Sequence, residues 1–170
     1  MKLNKHINKV AVVGSGIMGS RIACHFANIG VEVLLLDIIP FDLTKEQLKD
    51  KTIRNSIVND ALKSTLKSKP SPIYSKEFAS RITTGNLEDD LHKIADTDWI
   101  IEVVVERIDI KKQVFEKIEK FRTNGTLISS NTSGIPIESM IDGRSDDFKA
   151  HFCGTHFFNP PRYLKLLEII

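Results

Sequence analysis

A doubly wound, mostly parallel α/β sheet that ends in an antiparallel hairpin is the fold class the sequence predicts, and three observations predict it. Short runs rich in Val, Ile and Leu alternate with stretches whose apolar residues recur at helical spacing, the pattern of strand–helix–strand units around one sheet. The first alternation is joined by a glycine-rich turn, Gly14-Ser15-Gly16-Ile17-Met18-Gly19. Near the end, two extended runs are separated by Pro160-Pro161, which cannot continue a paired strand. A chain of 170 residues is long enough for one domain with a substantial core.

Val10-Ala11-Val12-Val13 reads as a buried strand, and Ile22, Phe26 and Ile29 mark the helix after the glycine turn, stopped by Gly30. Val31 to Leu36 is a second buried strand with Asp37 at its tip. Between Pro40 and Lys69, Leu48, Ile53, Ile57, Leu62 and Leu66 form an irregular stripe that predicts one long or two shorter surface helices, broken by Ser68-Lys69-Pro70-Ser71-Pro72. The lysines here make an ordinary solvated face, although one of them could meet the phosphates of a CoA-type substrate. Ser80 to Thr84 predicts a short strand before Gly85-Asn86, and Leu87 to Leu91 a helical turn. Trp99 to Val105 predicts a central strand that delivers Glu106 at its end, followed by an amphipathic helix through Ile110, Val114, Ile118 and Phe121. After the turn at Asn124-Gly125, Thr126 to Ser130 is a further strand with Asn131-Thr132-Ser133-Gly134 at its carboxyl end. Phe148 to Phe158 and Tyr163 to Ile170 are the two extended runs of the hairpin.

Lys+Arg (24) and Asp+Glu (22) nearly balance, which gives no reason to expect nucleic acid or a membrane surface as a partner, since such binding usually needs a concentrated basic face. Cys24 and Cys153 match no metal or redox spacing and read as buried free thiols in a reducing compartment; no metal site is expected. The charged stretch Met1 to Lys9 is followed by an apolar run that Gly14-Ser15-Gly16 breaks, so it does not read as a signal peptide. No apolar run reaches the length of about 18 residues needed to span a membrane. The expected location is the cytoplasm.

The glycine turn carries the first chemistry. Taken alone, G-x-G-x-x-G is a weak signal, but here a strand precedes it, a helix follows it, and an acidic residue comes about 20 positions on, as a dinucleotide fingerprint of the Rossmann type requires. Gly14 permits the turn, Gly16 lets the backbone approach a pyrophosphate, and Gly19 lets helix and strand pack closely. The helix start at Ile17 and Met18 then offers N–H groups to phosphate. Asp37 would accept the adenosine ribose hydroxyls and repel a 2′-phosphate, so NAD is expected rather than NADP. Ligands in such sheets lie beyond the carboxyl ends of the strands, which puts Glu106, Asn131 and Ser133 on the same edge.

The second chemistry lies in Thr155-His156-Phe157-Phe158-Asn159-Pro160-Pro161-Arg162. A histidine among phenylalanines is ordinarily a core residue. If the two extended runs fold back about Arg162, however, residue 156 falls opposite residue 168, on the same face, with Cβ atoms about 5 Å apart. Glu168 could then bind one imidazole nitrogen and leave the other for a substrate hydroxyl. His151 has no carboxylate at matching register and reads as structural. With NAD, a His156–Glu168 pair suggests oxidation of a secondary alcohol, with Ser133 holding the substrate oxygen.

Val-Val-Gly-Ser-Gly-Ile-Met-Gly (12–19), Glu-Val-Val-Val-Glu (102–106), Ser-Asn-Thr-Ser (130–133), His-Phe-Phe-Asn-Pro (156–160) and Leu-Leu-Glu (166–168) together resemble the NAD-binding domain of L-3-hydroxyacyl-CoA dehydrogenases. Arg-Tyr-Leu-Lys-Leu-Leu-Glu-Ile-Ile looks most like the long bacterial β-oxidation proteins that fuse this dehydrogenase to an enoyl-CoA hydratase-like region. The resemblance implies a His156–Glu168 catalytic dyad with Ser133 orienting the substrate. It also implies Asp37 on the ribose, with Glu106, Lys111 and Asn131 near the nicotinamide end. Residues 1–170 would be the NAD-binding domain, and the family's helical C-terminal domain, which closes the cleft and mediates dimerisation, is absent from this chain. An acyl-CoA substrate and a homo-oligomeric parent protein are implied as well. Two other readings stay open at this point: an NAD-binding module without turnover, and a dehydrogenase of the β-hydroxyacid type, which shares the G-x-G-x-M-G turn but uses a later lysine.

Overall fold

The computed structural model describes residues 6–170. The reading of residues 1–9 as no leader peptide rests in part on residues 1–5, which lie outside the described residues. The strands are β1 (Lys9–Val13), β2 (Glu32–Asp37), β3 (Ile82–Asn86), β4 (Trp99–Glu102), β5 (Leu127–Ser130), β6 (Phe152–Phe157) and β7 (Leu167–Ile169). They form one sheet in the order β3-β2-β1-β4-β5-β6-β7, parallel throughout except for the antiparallel pair β6–β7. The order reverses between β1 and β4, which opens a crevice at their carboxyl ends.

The period of two along each strand sorts the core into two layers. Val10 and Val12 of β1 and Val33 and Leu35 of β2 pack under α1 (Ile17–Asn28) and α3 (Ser56–Lys67), against Ile22, Phe26 and Val58. The alternate residues Ala11, Val13, Leu34 and Leu36 face α4 (Ile108–Phe121), where Val114, Phe115 and Ile118 are buried. Both faces of the inner strands are therefore covered, which is why they read as unbroken apolar runs. Ile29, assigned to the apolar stripe of α1, is mostly exposed beyond the end of that helix.

Of the two arrangements expected after Pro40 the structure has the second, and other boundaries differ from the sequence reading, each for a local physical reason. The segment after Pro40 forms two shorter helices, α2 (Lys51–Arg54) and α3, because Asn55 between them turns inward and accepts a 2.7 Å hydrogen bond from the Asn86 amide. β3 runs through Gly85 and Asn86; a Cβ at Gly85 would lie 2.7 Å from Asp90 Oδ2, so the strand can pass there only as glycine. β4 stops at Glu102 and not at Val105, since Val104 N–H leaves the ladder to donate to Glu102 Oε1 at 2.6 Å. The extended run expected from Phe148 begins only at Phe152. Residues Asp146–Ala150 form a short helix, α6, after α5 (Ile137–Ile141); Ser145 Oγ caps it by accepting from Phe148 N–H at 3.3 Å. Phe148 is thereby carried into the core.

The hairpin closes in the predicted register. Thr155 pairs with Ile169, His156 with Glu168 and Phe157 with Leu167. Of the expected run Tyr163 to Ile170, only Leu167–Ile169 is strand; Tyr163 and Leu164 N–H groups bond back to the Pro160 carbonyl in a turn. No helix of the described residues is long and apolar enough to cross a membrane.

Candidate active site and its cofactor edge

At the crevice, Gly14 has φ +104°, and a Cβ there would meet the Val103 carbonyl oxygen at 2.6 Å. Gly19 is tighter still, since its Cβ would fall 1.8 Å from the Gly14 carbonyl oxygen. Both positions require glycine for the close approach of β1, α1 and the end of β4. Gly16 differs: nothing lies within 4 Å of its would-be Cβ, so the turn leaves open space at the head of α1. No side chain caps the first N–H groups of that helix, and the side chain of Ile17 is largely exposed beside them. Uncapped donors at a helix start beside a bare glycine backbone make a cradle that fits a dinucleotide pyrophosphate.

Asp37 stands at the tip of β2, where its Oδ2 accepts from Ser15 N–H at 2.6 Å and from Ser15 Oγ at 2.5 Å. Its Oδ1 accepts from Ile38 N–H at 2.7 Å. Oδ2 is thereby fully engaged while Oδ1 keeps a further lone pair, so Asp37 is oriented by the turn and still able to accept a ribose hydroxyl at Oδ1. Ser20 Oγ donates to the Ser15 carbonyl at 2.6 Å and ties the turn down from the helix side.

On the other side of the crevice, an open cleft of about 540 Å³ is lined by Gly16, Ile17, Met18, Glu106, Asn131, Ser133 and His156 together with Val103–Val105 and Phe157–Asn159. This size is that of a small-molecule site. His156 Nδ1 lies 2.8 Å from Glu168 Oε2. Because a carboxylate can only accept, Nδ1 carries a proton, and in the neutral ring Nε2 then holds the free lone pair. The tilted ring of Phe158, with centroids 4.8 Å apart, packs beside the imidazole. Asn131 Oδ1 accepts from Phe157 N–H at 2.9 Å, which fixes its amide so that Nδ2 is left as a donor. His151 lies outside this cleft, with Nδ1 at 2.7 Å from the Asp147 carbonyl and 3.4 Å from an Asp147 carboxylate oxygen. It has a carboxylate neighbour after all, one helical turn back, and it serves the end of α6.

Glu106 connects the loop after β5 to the centre of the sheet. Its Oε1 accepts from the Thr132 hydroxyl and from the N–H groups of Ser133 at 3.1 Å and Gly134 at 3.2 Å, so it sets the backbone that presents Ser133. Burial raises the Glu106 carboxyl pKa, but the Thr132 hydroxyl, the Lys111 charge and the Ser133 N–H outweigh it and hold the group below the ordinary carboxylate range. Lys111 is fully buried, and its Nζ lies 2.9 and 3.0 Å from the two oxygens of Glu102 and 3.3 Å from Glu106 Oε2. It reaches the cleft only through Glu106.

Glu102, also fully buried, is the residue that sequence reasoning missed. Its other partners are Ser130 Oγ at 2.5 Å and Val104 N–H. A signal existed: a glutamate inside an apolar strand, and a lysine on the Val114–Phe115–Ile118 face of α4, are two charges that the core cannot hold apart. Cys24 and Cys153 are free; burial pushes the Cys24 thiol up to about 11 and raises that of half-buried Cys153, so neither is a ready nucleophile. Among the described residues no cluster of His, Cys, Asp and Glu is arranged to hold a metal ion.

Residues 9–170 match the family model described as 3-hydroxyacyl-CoA dehydrogenase, NAD binding domain. The chain belongs to that family. NAD is accordingly its cofactor, and the glycine cradle and Asp37 are the parts that fit it. A Bacillus subtilis protein named "Probable 3-hydroxyacyl-CoA dehydrogenase" is 57% identical over 99% of the chain, and a Rickettsia felis protein whose name assigns it to a fatty acid oxidation complex is 44% identical over 99%. The chain spans 22% of the length of each. The crystal structure of (S)-3-hydroxybutyryl-CoA dehydrogenase from Ralstonia eutropha is similar with a TM-score of 0.70 and 26% identity, covering 96% of this chain and 54% of that one.

The Glu102–Lys111 pair makes a measurable claim. Glu102→Leu alone leaves a buried ammonium with only the 3.3 Å contact to Glu106 as a carboxylate partner and is expected to cost about 3 kcal/mol, while the double change Glu102→Leu with Lys111→Met recovers most of it. Equilibrium urea unfolding of the two variants checks this, and a double variant no more stable than the single would show that the pair is not the unit. The lowered Glu106 carboxyl adds a pH dependence: its stabilisation is complete above the unfolded value of 4.5 and is lost as pH falls below that, through the lower folded value. Melting temperatures across this acid range should therefore fall less steeply for Glu106→Gln than for the unchanged chain; equal slopes would remove Glu106 from the linkage.

Proposed function

We propose that the full-length protein carrying this chain oxidises (S)-3-hydroxyacyl-CoA to 3-ketoacyl-CoA with NAD, in fatty-acid β-oxidation. The observation that supports it is the placement of His156, paired to Glu168 at 2.8 Å, on the same cleft as the glycine cradle. NAD, when bound, supplies the hydride acceptor. The remaining work falls to the chain's own groups. His156 Nε2 takes the proton of the substrate hydroxyl, and Glu168 keeps Nδ1–H engaged so that the ring is in the right tautomer and the imidazolium is stabilised as it forms. In the reverse direction the same imidazolium protonates the oxygen. Ser133, presented by the Glu106-bound loop, holds the substrate oxygen by its hydroxyl, and the Asn131 amide donates toward the nicotinamide end. Glu106 sits beside both, with Lys111 acting beneath it. The pair of free thiols supports a reducing compartment, and the cytoplasm is the location we assign. A homo-oligomeric parent is part of the same reading.

Glu168 is about half exposed, and every residue of β7 is exposed. Turnover is therefore tested on the full-length protein and binding on the chain. His156→Gln should leave NADH affinity intact and lower acetoacetyl-CoA reduction by roughly 10²–10⁴-fold, the worth of a positioned general acid–base. An active variant would take His156 out of the mechanism. Turnover of free 3-hydroxy acids in preference to the CoA thioesters would instead favour the β-hydroxyacid type. For the cofactor edge, Asp37→Ala should weaken NAD binding and relax discrimination against NADP, as fluorescence titration of the chain with NADH and NADPH would read; an unchanged preference would count against the ribose assignment.

A further inference from the structure

Glu168 sits on a strand of three residues, at the open edge of the sheet, with none of its side chains buried. Three-residue strands paired on one side only are weakly held, and the dyad depends on β7 keeping its register. The turn between β6 and β7 is held by more than its own chain. Arg162, the midpoint of the pairing register, donates from one guanidinium nitrogen to the carbonyls of Ser71 at 2.6 Å and Ile73 at 3.0 Å. Its guanidinium lies 4.2 Å from the centroid of Tyr74 and 5.1 Å from that of Tyr163, and the Tyr163 hydroxyl donates to the Ser71 carbonyl at 3.2 Å. The 71–74 loop is itself fixed, because the Asn28 amide donates to the Pro72 carbonyl at 3.0 Å and accepts from Tyr74 N–H at 2.8 Å. On the other flank of the turn, Arg21 of α1 donates to Asn159 Oδ1.

We propose that Arg162 is a positioning residue: by clamping the hairpin turn to the 71–74 loop, it holds Glu168 against His156 Nδ1 and so fixes the neutral ring as the Nδ1–H tautomer, with the Nε2 lone pair facing substrate. This assignment rests on the His156 role proposed above. Two donated bonds from a charged, planar group stacked on a ring fix a direction as well as a distance, which a lysine does not reproduce. The clamp touches neither the glycine cradle nor Asp37, so cofactor binding is independent of it.

The test uses the 170-residue chain and ring-nitrogen NMR of His156 at a pH where imidazole is neutral. In the unchanged chain the ring should show one tautomer, with the proton on Nδ1. In Arg162→Leu the Nε2 resonance should move from its unprotonated position toward an averaged one, with NADH affinity unchanged; Arg162→Lys should lie between. A purely structural residue would lower the melting temperature and leave the tautomer of the folded chain alone. If Arg162→Leu does not fold, Tyr74→Leu removes the stacked ring and keeps the donors, and should give the same shift in smaller measure. A single Nδ1-protonated tautomer in whichever variant folds, or no fixed tautomer in the unchanged chain, would overturn the proposal. The measurement involves no turnover, so a failed dehydrogenase reading would show itself separately, as an active His156→Gln.

Discussion

The carbonyl of Gly14 lies where a side chain on residue 19 would have to go, and the carbonyl of Val103 lies where a side chain on residue 14 would have to go. These two contacts press β1, α1 and the end of β4 together at the point where the strand order reverses. Because α1 starts so close to the sheet, its free N–H groups open into the crevice and not above it. Because the segment after β4 runs so close to Gly14, Val103–Val105 become a wall of the cleft. The positions of Asp37, Glu106 and the hairpin are all measured from this junction. A methyl group at either glycine would have to move backbone, which packed strands do not allow cheaply.

A second constraint lies just beneath. Glu102 and Lys111 are both fully buried, and each satisfies the other. Such a pair adds little net stability over an apolar core, but its geometry is narrow, and a residue so held fixes whatever it touches. Here Glu102 pulls Val104 N–H out of the ladder and ends β4, while Lys111 reaches Glu106, which gathers the Thr132, Ser133 and Gly134 donors. The loop that presents Ser133 is thus connected to the centre of the sheet by one run of charged hydrogen bonds. That connection explains why the Glu106 carboxyl stays ionised although partly buried.

Much of this was legible in the residues. Periodicity located the inner strands and α4, since both faces of those strands are covered and the runs are unbroken. The hairpin register followed from a symmetric fold-back about Arg162, which puts residue 156 opposite residue 168. The short helix α6 was not legible: five residues are fewer than any window in which a helical period can be counted, and Phe148 and Phe152 read equally well as extended. The end of β4 was misplaced for a different reason. Val103-Val104-Val105 has strong strand propensity, but propensity yields to the tertiary demand of a buried carboxylate for a donor. The role of Glu102 needed the partner as well as the residue, and Lys111 had been assigned to the cleft.

Helix α1 then carries two loads. Its first turn borders the glycine cradle, while Arg21 and Asn28 along its length hold Asn159 and the 71–74 loop, and through them both flanks of the hairpin turn. The cofactor edge and the histidine–glutamate pair are therefore referred to one rigid body, although their residues are far apart in sequence. In the proposed reaction hydride and proton leave the same hydroxyl-bearing carbon and its oxygen, which would require the nicotinamide end and His156 Nε2 to keep a fixed separation, and an error of about 1 Å in such alignment costs on the order of 10²-fold. A hairpin at the free edge of a sheet cannot hold that tolerance by its three-residue ladder alone. Anchoring its turn to the helix that also forms the glycine cradle opposes the independent motion that would spoil it.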